Sequence, residues 1–311
     1  MIPWCLCALV VNAVSLLCEE LMDRLIQQLI MQGPILTDGA WGTEFQKRGL
    51  EPGECPDLWN LAHPDRVEAV ARAYVEAGSQ VILTNTFRAN CIALDRPGEP
   101  APIKEINRLG VEISRRAAGS GVKVFASLGP SGKLMMMGEI SEAELLAAYT
   151  EQAAALAEAG ADALIFETMS DLAEAKVGVQ VGRATGLPVI VSMAFDSGKN
   201  FDRTMMGTTP EQAATELTAA GADVIGANCG QGIETYGAIC KRLHAATTLP
   251  IWIKPNAGMP ELVDGRTSYK ATPQEFARHA PDLFAAGASF LGGCCGTNPE
   301  FIRALAEIGG K

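Results

Sequence analysis

The amino-acid sequence predicts a single-domain α/β protein with the (β/α)8 TIM-barrel fold, on the basis of three features. Short apolar, β-branched runs occur eight times, helix-like segments separate them, and four of these segments end in a similar glycine-containing pattern. Short runs of nearly continuous hydrophobicity are typical of parallel strands that are covered on both faces. Eight such strands alternating with helices predict a closed barrel.

The predicted strands are spread along most of the chain. They comprise residues 35–38, 81–84, 122–126, 163–166, 189–192, 224–227, 251–254 and 289–292. A doubly wound sheet is the rival arrangement. It is disfavoured because no Gly-x-Gly-x-x-Gly sequence follows the first strand, and because the segment from Gly129 to Lys133 lacks the spacing of a phosphate-binding loop.

The segments between the strands carry helix start and stop signals. The starts are Pro64-Asp65, the capping-box sequence Ser141-Glu142-Ala143-Glu144, Thr209-Pro210 and Thr272-Pro273. Four segments end at Gly78, Gly160, Gly221 and Gly287. Glycine suits the left-handed position just after a helix, so each of these glycines is expected to mark the passage from a helix to the next strand.

Composition and charge exclude two classes of partner. Of the 311 residues, 25 are Lys or Arg and 36 are Asp or Glu, so the formal net charge is −11. Nucleic acids require a basic surface and anionic membranes attract basic segments, so we expect neither as a partner.

Residues 2–18 are apolar but lack the basic region and cleavage site of a secretion signal, which favours a cytoplasmic protein. We interpret residues 1–21 as an extension outside the core, with an apolar anchor as the alternative, and residues 22–311 as the barrel domain.

The nine cysteines do not form the framework of a small disulfide-rich domain. Three of them, Cys229, Cys294 and Cys295, fall where the sixth and eighth predicted strands end. Active sites of TIM barrels lie at these carboxyl ends, and strands separated by one neighbour are about 10 Å apart. Thiolates that lean inward from both strands can therefore bind one zinc ion, because Zn–S bonds are about 2.3 Å long.

Cys294 and Cys295 are adjacent, and the glycines on both sides of them permit a turn that lets both face one ion. Three thiolates with an exchangeable fourth position are typical of a catalytic zinc site. Two alternatives stay open. The three cysteines are buried small apolar residues, or Cys294 and Cys295 form a vicinal disulfide.

Polar motifs at the strand ends occur in a fixed order. They are Asp38-Gly39-Ala40-Trp41-Gly42-Thr43, Thr84-Asn85-Thr86-Phe87, Phe166-Glu167-Thr168, Asn228-Cys229-Gly230, Pro255-Asn256-Ala257-Gly258 and Gly292-Gly293-Cys294-Cys295-Gly296-Thr297. Together, over roughly residues 33–308, they resemble the zinc-dependent homocysteine S-methyltransferase family. The closest resemblance is to the homocysteine-binding module of cobalamin-dependent methionine synthase.

The resemblance implies a Zn²⁺ ion held by Cys229, Cys294 and Cys295, and homocysteine as the thiol substrate. It also implies that Asn256 completes the zinc shell and leaves when the substrate binds. Zinc coordination deprotonates a thiol, whereas a free thiol has a pKa near 8.5. The predicted enzyme is therefore an S-methyltransferase in which the homocysteine thiolate attacks an electrophilic methyl group and forms methionine.

Five residues are predicted to bind the substrate. Asp38 and Glu167 suit its ammonium group, and the turn that begins at Ser127 is the candidate for its carboxylate, while Gly39 and Asn85 complete the set. The alternatives are a structural salt bridge for Glu167, a strand-end cap for Asp38 and a purely structural role for Asn85.

The methyl donor is left open between two classes. One is a small sulfonium or ammonium compound such as S-methylmethionine, and the other is a separate corrinoid or folate protein, which the resemblance to the methionine-synthase module favours slightly. The alternative to an enzyme is a non-catalytic subunit that presents zinc and homocysteine within a corrinoid- or folate-dependent assembly.

Overall fold

The computed structural model describes residues 25–94, 101–263 and 266–309. The predicted extension over residues 1–21 lies outside the described residues. The described chain starts with a helix over residues 25–30, whose Ile26 and Leu29 are buried in the apolar interior of the sheet. No helix among the described residues is long and apolar enough to cross a bilayer.

Eight parallel strands form one sheet that closes into a barrel. They are β1 Ile35–Leu36, β2 Val81–Leu83, β3 Lys123–Leu128, β4 Ala163–Met169, β5 Val189–Met193, β6 Val224–Gly232, β7 Ile251–Asn256 and β8 Ala288–Leu291. Neighbours in the chain are neighbours in the sheet from β2 to β8, and β8 pairs with β1. A parallel bridge between Thr37 and Val81 joins β1 to β2. The predicted strands and the TIM-barrel fold are confirmed.

Helices connect the strands on the outside of the barrel. They are α1 Gly42–Lys47, α2 Trp59–Ala62, α3 Pro64–Glu76, α4 Ile103–Ala118, α5 Glu142–Glu158, α6 Leu172–Ala184, α7 Pro210–Ala220, α8 Ile233–Ala246, α9 Pro273–Ala277, α10 Ala280–Ala285 and α11 Pro299–Gly309. The predicted starts are confirmed, including the capping box between Ser141 and Glu144. The four predicted stop glycines all have positive φ, between 88° and 107°.

Apolar side chains pack in two layers, one inside and one outside the barrel wall. Residues alternate between the layers along each strand, so that in β7 Trp252 belongs to the inner layer while Ile251 and Ile253 belong to the outer one. Trp252 packs on Phe125 and Phe290, with ring centroids 6.0 and 5.3 Å apart. We call these three rings the aromatic floor. They fill the interior beneath the strand ends, and the polar site lies above them.

A short antiparallel hairpin follows β7, and the sequence reasoning did not anticipate it. Its strands are Glu261–Val263 and Arg266–Ser268. The hairpin leads directly into Tyr269, whose ring lies against the backbone of Gly296, since a Cβ built on Gly296 would be 2.2 Å from Tyr269 Cγ. The hairpin therefore brings an aromatic residue to the turn that follows β8.

Candidate metal and substrate site

The three predicted cysteine ligands come together at the carboxyl end of the barrel. Cys229 lies in β6, and Cys294 and Cys295 follow β8. Their sulfur atoms all lie within 4.8 Å of one another, the side chains are half-buried, and all three thiols are free. The Cys229 and Cys295 sulfurs are 4.0 Å apart. Two sulfurs bound tetrahedrally to one zinc ion would be about 3.8 Å apart, so the cluster matches the spacing that a zinc site needs.

A β-bulge directs Cys229 toward the other two cysteines. The ladder between β6 and β7 pairs Asn228 with Lys254 and then skips to Gly232 and Asn256, which leaves Cys229 in the irregular stretch. Cys229 has a left-handed φ of 63°, unusual for a residue with a side chain. Bulges are frequent next to active sites, where they redirect a side chain, and this one serves that purpose for the cysteine sulfur.

The turn after β8 lets adjacent Cys294 and Cys295 face the same point. The Cys294 N–H donates to the carbonyl of Pro255 at 2.7 Å, and the Cys295 carbonyl accepts from the N–H of Ala257 at 2.9 Å. These bonds attach the turn to the end of β7. Gly296 then reverses the chain with a φ of 83°, a conformation that glycine adopts without strain.

The three thiols share one negative charge before any metal binds. Hydrogen bonds from Cys294 and Cys295 lower the pKa of Cys229, whereas the pKa values of Cys294 and Cys295 are raised, first of all by their hydrogen bonds to Cys229. Like charges this close resist further ionisation. The cluster is thus a thiolate stabilised by two thiols, and a divalent cation would relieve the repulsion that keeps those two protonated.

Asn256, at the end of β7, has an unpaired carbonyl oxygen beside this cluster. The side chain is buried, and no donor among the described residues reaches its Oδ1 atom, while the side chain as a whole helps to lower the pKa of Cys229. A buried polar atom without a partner is costly. Three converging sulfurs and one orphaned oxygen form a donor set that fits Zn²⁺.

Asp38 follows β1, accepts a backbone hydrogen bond from Gly293 of the turn after β8, and is fully buried. One carboxylate oxygen accepts from the Leu83 N–H at 2.8 Å and from Trp41 Nε1 at 2.6 Å, and the other accepts from Lys254 Nζ at 2.5 Å. An ionised carboxylate offers about four acceptor positions, so three of them are occupied. Asp38 is therefore mainly committed to holding β2, Trp41 and Lys254 in place, and binding of a substrate ammonium by Asp38 stays a prediction.

Glu167 is the acidic side chain at this site with the most open carboxylate. It lies in a bulge of β4 and is 9% exposed, and its Oε1 atom accepts from Ser127 Oγ at 2.5 Å. Burial raises the pKa of Glu167, although the Lys254 ammonium and the Ser127 hydroxyl oppose this shift. The second carboxylate oxygen has no protein donor among the described residues, which suits an incoming cation.

The other predicted substrate-binding residues are engaged within the protein. Ser127 donates its hydroxyl to Glu167, its N–H donates to Thr84, and the N–H of Gly129 donates to the carbonyl of Phe87. The turn after β3 therefore lacks these two backbone donors for a substrate carboxylate.

Asn85 and Gly39 are likewise packed against neighbouring segments. Asn85 donates to the carbonyl of Pro56 and to the side chain of Asn60, at 2.7 and 3.0 Å. Gly39 lies so close to Tyr74 that a Cβ would be 2.8 Å from its hydroxyl. For Asn85 the structure favours the alternative of a purely structural role.

Sequence reasoning missed two residues of this site, Lys254 and Tyr269. Lys254 is a charged residue within an apolar predicted strand, which is visible in the sequence, but no function was predicted for it. Burial raises the pKa of the Tyr269 hydroxyl, and the nearby Cys295 raises it further. No local sequence signal could assign this contact to Tyr269, because the unanticipated hairpin creates it.

The fold and the site define a TIM-barrel protein with a three-cysteine cluster at the carboxyl ends of β6 and β8. The chain belongs to the homocysteine S-methyltransferase family, whose sequence profile matches residues 35–308. The family resemblance inferred from the six motifs is confirmed.

The chain is similar to methionine synthases and to a homocysteine methyltransferase of known structure. Methionine synthase of Mycobacterium tuberculosis is 32% identical over 309 residues, which is 93% of this chain and 26% of that protein, and the Mycobacterium leprae enzyme is 31% identical over 307 residues, 91% and 25%. The chain thus spans about a quarter of the length of these curated relatives. Among solved structures, the metallated form of the Escherichia coli homocysteine methyltransferase MmuM has a TM-score of 0.73 and 26% identity. The match covers 88% of this chain and 96% of that one.

Proposed function

We propose that this protein transfers a methyl group to the sulfur of homocysteine, forming methionine, with Zn²⁺ bound by Cys229, Cys294 and Cys295. The observation that carries the proposal is the convergence of these three sulfurs within 4.8 Å, in a chain whose family acts on homocysteine. The metallated form of the E. coli homocysteine methyltransferase MmuM supports the choice of a metal site.

The residues of the site have complementary tasks. When bound, zinc supplies a Lewis acid that keeps a coordinated thiol deprotonated at neutral pH. The three cysteine thiolates surround that position with negative charge, which keeps the substrate sulfur electron-rich. Asn256 offers an oxygen that the substrate can displace. Glu167 accepts a hydrogen bond from the substrate ammonium with its open carboxylate oxygen and so anchors the amino acid, because a hydrogen bond between charged groups is stronger than a neutral one.

The proposed source of the methyl group is a partner protein that carries a corrinoid or a folate. The support is the extent and level of identity, 32% over 93% of the chain to a methionine synthase, against 26% for the homocysteine methyltransferase MmuM. S-methylmethionine is the alternative donor.

Three thiols that must stay free are best preserved in a reducing compartment, so the proposed location of the protein is the cytoplasm.

Turnover by the purified, zinc-loaded protein tests the proposal. Homocysteine is supplied together with S-methylmethionine, methylcobalamin or a methylated folate in separate reactions, and methionine is quantified. We expect methionine from methylcobalamin. Methionine from S-methylmethionine alone would contradict the partner-dependent version, and no methionine from any donor would favour a subunit that only presents homocysteine.

Metal analysis of variants tests the site itself. Cys294→Ala is expected to lose stoichiometric zinc, whereas Cys240→Ala is the matched control, because Cys240 is a buried free thiol of α8 that faces Leu283 and Ala286. Equal zinc content in wild type and Cys294→Ala would contradict the assignment of the ligands.

A further inference from the structure

Asn228 is a buried amide beside the cysteine cluster, and its partners fix its orientation. It lies in β6 directly before Cys229 and is fully buried. Its Oδ1 atom accepts from the backbone N–H of Thr168 at 2.8 Å and from the Ser192 hydroxyl at 2.7 Å. A backbone N–H can only donate, so the amide atom that faces it must be the oxygen. This contact settles where the amide nitrogen of Asn228 lies.

The amide nitrogen of Asn228 has two N–H groups, and two acceptors lie within their reach. Thr168 Oγ1 is 2.7 Å from Nδ2, and the Cys294 sulfur is 3.8 Å from it. A longer distance is expected for sulfur, which is a larger atom and a weaker acceptor than oxygen. Among the described residues, no other acceptor is within hydrogen-bonding distance of this nitrogen. One N–H of a fixed amide is therefore directed at a predicted metal ligand.

A bulge in β4 provides the groups that hold the amide. The ladder between β4 and β5 skips from Phe166 to Met169, and Thr168 in between has a left-handed φ of 60°. This conformation is rare for a β-branched residue. It persists only where the surroundings over-determine it, which is most frequent at functional sites. The N–H and the hydroxyl of Thr168, which the ladder does not use, both bind the Asn228 side chain instead.

The backbone of Cys294 is held separately from its sulfur. Its N–H donates to the carbonyl of Pro255, and its own carbonyl accepts from Thr297 Oγ1, both at 2.7 Å. With the backbone fixed, rotation about the Cα–Cβ bond decides where the sulfur lies. The contact with Asn228 favours the rotamer in which the Cys294 sulfur joins the other two cysteines.

We propose that Asn228 is a positioning residue of the metal site, whose fixed amide donates an N–H to the Cys294 sulfur. The bond holds this sulfur toward Cys229 and Cys295. It also offsets excess negative charge, because three thiolates exceed the charge of one divalent cation and a hydrogen bond to a charged acceptor is strong. The inference rests on the proposed function, since it concerns how the chain holds the metal of that site. A thiolate that accepts such a bond is a poorer nucleophile, so Cys294 is the ligand best protected from alkylation.

Two variants separate positioning of the sulfur from stability of the barrel. Asn228→Ala removes the donor to the sulfur. Ser192→Ala is the matched control, because it removes a buried hydrogen bond to the same amide and leaves the N–H that faces Cys294 in place. Zinc affinity is measured by competition with a chelator, and the Co²⁺-substituted protein by its thiolate-to-metal absorption. Iodoacetamide treatment of the zinc-loaded protein, followed by mass spectrometry, gives the alkylation rate of each cysteine. None of these readouts depends on turnover.

Asn228→Ala is expected to bind zinc about 10- to 100-fold more weakly than wild type, the usual effect of losing a partner of a metal ligand. Ser192→Ala should stay within about 3-fold of wild type. The Co²⁺ absorption of Asn228→Ala should shift to longer wavelength, because a sulfur without the hydrogen bond holds its electrons less tightly. Cys294 should also be alkylated faster relative to Cys229 and Cys295. A residue that only stabilised the barrel would change neither the absorption nor the order of alkylation.

Two results would overturn the inference. The first is an Asn228→Ala protein with the zinc affinity and the Co²⁺ absorption of wild type. The second needs no variant and holds even if Asn228→Ala fails to fold. In wild type loaded with an NMR-active cadmium isotope, the N–H···S bond should couple an amide proton of Asn228 to the metal. A spectrum with couplings to the three cysteines and none to Asn228 would contradict the bond. A wild-type protein that takes up no metal would instead contradict the proposed function.

Discussion

Replacing Gly296 with alanine should damage the site without touching a metal ligand. Gly296 follows Cys295 directly and has a φ of 83°. A Cβ there would be 2.2 Å from Tyr269 Cγ and 2.4 Å from Tyr269 Cδ2. These are ring atoms held by the hairpin, and the same side chain lies near Cys295, which together with burial raises the pKa of the Tyr269 hydroxyl. The substitution therefore combines backbone strain with a displacement of Tyr269.

The expected loss of stability is the sum of the backbone strain and the overpacking. A left-handed conformation costs a residue with a side chain about 1–2 kcal/mol, and overpacking of a well-packed site costs about 1–3 kcal/mol. We expect Gly296→Ala to lower the free energy of unfolding of the apoprotein by about 2–5 kcal/mol. It should also weaken zinc binding, because the ring that contacts Cys295 has to move.

Gly160→Ala provides the matched control. Gly160 has a φ of 88°, and a Cβ there would meet no heavy atom within 4 Å. The Gly160→Ala variant therefore has the backbone strain without a steric clash, and we expect its free energy of unfolding to fall by about 1–2 kcal/mol. Urea unfolding of the apoproteins measures the cost in stability, and competition with a chelator measures zinc affinity.

The double variant Gly296→Ala/Tyr269→Ala isolates the clash. It should recover part of the stability lost in Gly296→Ala, because truncation of the ring removes the overlap. The reasoning would be refuted if Gly296→Ala and Gly160→Ala lost equal stability and bound zinc as tightly as wild type.

Three further predictions follow from the same site. Glu167→Gln should raise the KM for homocysteine about 10- to 100-fold and leave the affinity for 4-sulfanylbutanoate, the homocysteine analogue without the ammonium group, nearly unchanged; equal losses for both thiols would argue against an ammonium contact. Zinc binding near pH 7 should release about two protons, since the pKa of Cys229 is lowered and those of Cys294 and Cys295 are raised. Affinity should therefore increase with pH, and calorimetry in buffers of different ionisation enthalpy counts the protons; release of none would contradict this charge state. Asn228→Ala should cost about 2–4 kcal/mol in urea unfolding, because it removes hydrogen bonds to Thr168 and Ser192 in the buried wall; a loss below about 0.5 kcal/mol would contradict it.

Most of the fold could be read from the sequence because its signals are local. A buried parallel strand needs a short apolar run whatever lies beside it, and a helix start needs a capping side chain and its neighbours within four residues. The capping box at Ser141 and the stop glycine at Gly160 are therefore visible before any tertiary contact is known. The hairpin after β7 escaped notice because its strands have only three residues each, too few to show an alternating pattern.

The site divides in a similar way. The convergence of Cys229, Cys294 and Cys295 could be predicted from the sequence, because the barrel topology alone places the ends of β6 and β8 on the same rim. Substrate-binding roles that require a free hydrogen-bonding group could not be predicted in this way. Asn85 is engaged with the segment that holds Pro56 and Asn60, and such pairing is invisible until the chain is folded.

By itself, the sequence determined the TIM barrel, the family and the convergence of the three cysteines, since each depends on residue types at fixed positions along the chain. Only the tertiary structure decided which charged side chains of the site pair with each other. Asp38 and Lys254 are 216 residues apart in sequence and form a buried ion pair, and the other carboxylate oxygen of Asp38 accepts from Leu83 and Trp41. Hydrogen bonds are directional and are used up by whichever partners the fold brings within about 3 Å. For this reason the residues that remain free to bind a substrate could be identified only from the folded chain.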